Sequence, residues 1–90
     1  AATINNCYGY GRQLIAGNNV EKALDVFKKA NKKWGDHWRA PQGLARGYSA
    51  TGDYAKALKY EKVAHAKAPE TSKPFLEGYL KSLEEGKDFN

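Results

Sequence analysis

The chain has 90 residues and a net charge of +5, with 41% hydrophobic and 28% charged content, which allows one domain with a small core. No apolar run approaches the roughly 20 residues that cross a bilayer, so membrane insertion is excluded as an expectation. One cysteine, Cys7, closes no intramolecular disulfide, and with two histidines the chain lacks a ligand set at zinc-finger spacing, so neither a metal nor another cofactor is expected.

The opening residues, AATINN, have neither the basic nor the apolar region of a signal peptide. With no Met ahead of the first helical pattern, the chain reads as a fragment or a processed product. A first helix is expected over 4–17, with Cys7, Tyr10, Gly11, Leu14 and Ile15 on one face, and Gly11 where a neighbouring helix touches. Gly17 ends it. Asn18 or Asn19 caps the next, and with Asn18 as N-cap, Glu21 completes a capping box. The second helix, about 19–33, buries Val20, Ala23, Leu24, Phe27 and Ala30, and Lys32 and Lys33 suit its negative end.

The connector Trp34-Gly35-Asp36-His37-Trp38 leads to a third helix over 38–51 with Pro41 in its first turn, where a missing N–H does no harm. Its tryptophans are expected to pack between helix pairs, and Asp36 or His37 to cap a helix. Thr51-Gly52-Asp53 is the next turn. A fourth helix over 53–68 presents Tyr54, Ala57, Leu58 and Ala64, stopped by Pro69. Glu61 stands where an aromatic is wanted, which leaves Tyr60 or Val63 to rotate into the gap. Thr71 or Ser72 then caps a fifth helix, about 73–85, with Phe75, Leu76, Tyr79, Leu80 and Leu83 on its apolar face and Gly86 at its end.

Sliding the chain by 34 positions superposes Gly9, Arg12, Ala16, Lys22, Ala23, Leu24, Lys28, Ala30 and Lys33 on Gly43, Arg46, Ala50, Lys56, Ala57, Leu58, Lys62, Ala64 and Lys67. Nine identities at one offset make this a repeat protein. Residues 4–37 form one repeat, 38–71 a second, and 73–85 a capping helix whose polar outer face closes a solenoid. The fold expected is all-α, five helices, pairwise antiparallel with a lone final helix, in a single domain spanning 1–90.

The period and its small residues resemble the tetratricopeptide repeat. Its pattern is met by Cys7, Tyr10, Gly11 and Leu14, then Ala23, Phe27 and Ala30 in the first copy, and by Pro41, Leu44, Ala45 and Tyr48, then Ala57, Ala64 and Pro69 in the second. Cys7 and Pro41 replace the family's tryptophan, Glu61 its aromatic and Gly35 its first proline. The resemblance implies a right-handed superhelix whose first helices line a concave groove. The positions that match its ligand-contacting ones are Asn5, Tyr8 and Arg12, then Arg39, Gln42 and Arg46, and Lys73 on the last helix. Arg12 and Arg46, one period apart, would stack as a ladder able to take carboxylates. The Lys/Asn/Arg clamp of chaperone-binding members is not present as such, since Tyr8, Arg12 and Gly43 stand at three of its places.

Residues 1–69 hold twelve Lys/Arg against five Asp/Glu, and residues 70–90 hold three against five, so a basic body calls for an acidic protein or peptide partner. An equally simple reading of the arginines is a solvated face. Cys7 reads as a small core residue and His65 as lying at the surface or an inter-helix seam. The chain has no Ser/His/Asp set, no phosphate loop after a strand and no paired carboxylates near a histidine, and enzyme activity is not expected. A weak nucleic-acid binder is a lesser alternative, since the convex lysines interleave with acids and do not form a continuous footprint. The function expected is a non-catalytic interaction module with a basic groove for an acidic or C-terminal peptide, or an assembly scaffold. The alternative is a structural repeat that packs on other domains or on a second copy as a homodimer, two repeats being fewer than the roughly three needed to stand alone.

Overall fold

A computed structural model describes residues 3–90. They form α1 (Ile4–Ala16), α2 (Val20–Trp34), α3 (Arg39–Thr51), α4 (Tyr54–Lys67) and α5 (Lys73–Glu84), and no strand occurs among the described residues. The architecture is all-α and repeat-like: α3 packs on α1, α2 and α4, while α5 rests on α4. None of these helices is long and apolar enough to cross a membrane.

Local chemistry sets the helix ends. Thr3 caps α1 through a box with Asn6, the side chain of each accepting from the other's backbone N–H. The box expected at Asn18 and Glu21 does not form. Asn18 lies in the left-handed region at φ 63°, Asn19 takes the N-cap position, and its side chain makes no capping bond. Asp53 caps α4 by accepting from the Lys56 N–H, and Gly52 ends α3 at φ 87°, which costs glycine nothing. The His37 ring supplies the third helix with an acceptor, taking the Arg39 N–H on Nδ1 at 3.1 Å. Ser72 is the N-cap residue of α5, with Pro74 in the first turn.

The first core is built around Phe27, which is packed with Tyr8, Leu14, Ala23 and Leu44. Helices α1 and α3 approach it closely because Gly11 and Gly43 carry no side chain; a Cβ at either would overlap the Phe27 ring. The α1 stripe differs from the expected one. Ile4, Tyr8, Gly11 and Leu14 are buried, whereas Tyr10 is exposed. A helix rotated to bury Tyr10 would carry Gly11 off the Phe27 ring. Cys7 and Trp34 pack against Ile4, Ala30 and Ala40, and Trp38 against Ala64, Ala68 and Leu76, so the two tryptophans serve opposite sides of the connector.

The second seam is built otherwise. Ala57, Glu61 and Ala64 form the buried stripe of α4. Tyr60 and Val63 do not replace Glu61: Tyr60 stacks on Tyr48 at 5.7 Å and Val63 is exposed. Turning either inward would rotate Ala57 and Ala64 out. On α5, Leu76 and Leu83 are buried, but Phe75, expected in the apolar face, is 67% exposed.

Candidate functional site

Helices α1, α3 and α5 bring their inward residues to one concave surface. Tyr8 is its floor, buried by its packing on Phe27 at 6.2 Å. Three guanidiniums surround the Tyr8 ring, with Cζ of Arg39, Arg46 and Arg12 at 4.6, 5.8 and 5.9 Å from its centroid. A cation over a ring face is attracted by the ring quadrupole, by about 0.5–2 kcal/mol according to exposure. Arg39 is held on its other side by Trp38 at 4.2 Å and donates from Nη1 to Gln42 Oε1 at 3.0 Å.

Arg46 and Arg12 do not repeat one another as a solvated ladder. Arg12 is exposed. Arg46 is only 4% exposed, donates from Nε to the Tyr8 hydroxyl and from Nη1 to Asn90 Oδ1 at 3.3 Å, and lies over Tyr79 and Phe89 at 5.1 and 4.8 Å. Its partners come from α1, α5 and the segment after α5.

Below Arg46 lies Glu61, fully buried. Neither carboxylate oxygen has a hydrogen-bond partner of ordinary geometry. Burial pushes its pKa up to about 8, against the opposing pull of the Arg46 charge and the Gln42 amide, so the group is protonated at neutral pH. Arg46 therefore faces the concave surface without a neutralising carboxylate beneath it.

A pocket of about 230 Å³ opens between α3 and α5, lined by Arg12, Arg39, Gln42 and Arg46 with Trp38, Ser72, Phe75, Leu76 and Tyr79. It contains three cations, several apolar faces and no acid. Of the residues expected at the site, Arg12, Arg39, Gln42 and Arg46 line it, while Tyr8 contacts the three arginines without lining it. Asn5 is exposed on α1 and Lys73 pairs with Glu70 at 3.2 Å; neither lines the pocket.

The sequence reading missed Trp38, Phe75, Leu76 and Tyr79 as lining residues. One signal was present for Leu76: a further step of 34 from Gln42 lands on it. Trp38 is likewise in phase with Ser72, another lining residue, whereas Tyr79 shows no such phase and its place follows from how α5 docks on α4. Among the described residues no three His, Cys, Asp or Glu side chains gather as a metal site. Comparison with protein-family models, curated proteins and solved structures gives no match.

Proposed function

We infer that this chain is a non-catalytic interaction module of tetratricopeptide-repeat type, whose groove between α1, α3 and α5 binds an acidic peptide segment of a partner protein. The observation that carries this is the pocket itself, which sets Arg12, Arg39 and Arg46 around apolar surfaces without an acidic lining residue. Arg12 is free to pair, and the Arg39 fork is oriented between two rings, so less side-chain freedom is lost when a carboxylate arrives. Phe75, largely exposed at the rim, offers an apolar anchor beside the charges. The groove supplies binding and no reacting group.

The test is a calorimetric titration of the 90-residue chain with acidic peptides. The Arg12→Gln, Arg39→Gln double variant is expected to bind at least about tenfold more weakly, in keeping with two charge-assisted contacts. Raising the salt should weaken the wild type more than the variant. Equal affinity for the two proteins would sink the reading.

A further inference from the structure

The segment after α5 is not helical, yet it turns back onto α3 and Tyr79, covering two residues of the groove wall, Arg46 and Tyr79. The Ser49 hydroxyl donates to Asp88 Oδ1 at 2.6 Å and accepts the Phe89 N–H at 3.2 Å. The Phe89 ring stacks on Tyr79 at 4.8 Å and meets the Arg46 guanidinium. Asn90 accepts from Arg46 Nη1 and donates from Nδ2 to the Arg46 carbonyl at 2.9 Å. Partial burial works against the Asp88 charge, but Ser49, Asn90 and Arg46 outweigh it and hold the carboxyl below its ordinary range.

We propose that Asp88-Phe89-Asn90 is an internal stand-in for the groove's ligand: the groove recognises an acid followed by an aromatic residue, and a partner peptide with that pair binds by displacing the chain's own segment. The proposal rests on the acidic-peptide reading above and deepens it. Each part of the motif meets a group suited to it: the Ser49 hydroxyl for the carboxylate, with the Arg46 charge nearby, and Tyr79 with Arg46 for the ring. The segment is held loosely, since Asp88 and Asn90 remain exposed and Phe89 is half-buried. It also leaves Arg12 and Arg39 without a carboxylate partner among the described residues. A partner peptide with a second acid gains contacts the internal segment does not make, which is how it prevails over a competitor tethered at millimolar effective concentration.

The experiment titrates the 90-residue chain and its Asp88→Asn, Phe89→Ala double variant with the peptide acetyl-Glu-Gly-Lys-Asp-Phe-Asn-amide, with the same peptide carrying Ala for Phe, and with an acidic peptide lacking aromatics. The first peptide is expected to bind the double variant about tenfold more tightly than the wild type, because the competent groove is no longer occupied; the Ala peptide should bind both weakly. In the wild type, its binding should speed hydrogen exchange at the Phe89 amide and leave α1 to α4 protected, a readout independent of how well the variant folds. Equal affinity for both proteins with unchanged exchange at Phe89 overturns the stand-in. If the aromatic-free peptide then still binds in an Arg39-dependent way, the groove reading survives alone. Binding of no acidic peptide to either protein overturns both.

Discussion

Phe27 and Glu61 stand one period apart, on the second helix of each repeat, and both are buried. Around Phe27 the neighbouring helices present Gly11, Gly43 and Gly47, so the ring fills the seam and α1 closes on α3. Thirty-four residues on, those glycines become Ala45, Glu77 and Lys81, and the seam keeps a carboxyl without a hydrogen-bond partner. There α5 packs on α4, a pocket opens between α3 and α5, and residues 88–90 lie against Ser49 and Arg46 of α3 at its edge. The same repeat thus builds a closed joint where the side chains interlock and an open one where they do not. The open joint is where the candidate site lies.

The closed joint breaks most severely. Phe27→Ala removes the ring that three helices share, and a cost of about 3–5 kcal/mol is expected in urea unfolding. For a chain of this size that is a large part of its total stability. A loss under 1 kcal/mol would mean that the two joints do not differ as described.

The open joint responds in the other direction. The Glu61 carboxyl titrates near 4.5 when unfolded and about 8 when folded, so between these values the folded chain holds a proton that the unfolded chain has released. The contribution of Glu61 to stability is then full below pH 4.5 and is lost as the pH rises through 8. Glu61→Gln is expected to flatten this slope and to be more stable than the wild type at pH 9 by about 1–3 kcal/mol, the range for an unmatched buried polar group. Melting curves from pH 5 to 9 measure it. Parallel profiles for the two proteins would show that the carboxyl is not buried in a state that must bind a proton.

Arg46 couples the joints, since its Nε–H donates to Tyr8 on the closed side while its charge acts on Glu61 on the open side. Tyr8→Phe deletes that acceptor and keeps the ring. A loss of about 1–2 kcal/mol is expected by thermal unfolding, with a smaller Arg46-dependent part once Glu61→Gln is also present. Strict additivity would separate the two joints.

The repeat made most of the fold legible. All five helices fall within two residues of the expected spans: the offset-34 identities mark the small residues of the first four, and the Ser72 cap, Pro74 and Gly86 mark the fifth. The resemblance placed Tyr8, Arg12, Arg39, Gln42 and Arg46 on one surface, but the period alone does not choose them, since Asn5 and Lys73 are in phase with Arg39 and stay outside the pocket. What was not legible depends on contacts without periodicity. Arg46 is buried by Tyr79, Phe89 and Asn90, and residues 87–90 carry no pattern that announces their seat. Tyr10 was expected in the buried stripe because it and Tyr8, on opposite sides of the helix, have equal hydrophobicity, and only the approach of Gly11 to Phe27 decides which is buried. Glu61 was recognised as a misfit, but its burial depends on Ala57 and Ala64 fixing the rotation of α4.

The smallest effect tests what holds the open joint together. His65 Nε2 and Glu77 Oε2 meet at 2.9 Å between α4 and α5, so a polar contact is a candidate for fastening α5. Their exposure argues against it: the Glu77 side chain is 61% accessible, and such pairs are worth about 0–1 kcal/mol because water screens them and the side chains lose freedom. Leu76, packed with Ala64 and Ala68, excludes water and is the more effective fastening. Glu77→Gln is therefore expected to shift the melting temperature by less than about 4 °C, the equivalent of roughly 0.5 kcal/mol in a domain of this size. A larger fall would make the open joint an electrostatic one, sensitive to salt. An effect within that bound leaves its docking to apolar packing and places its adjustable part in residues 88–90 and the arginines.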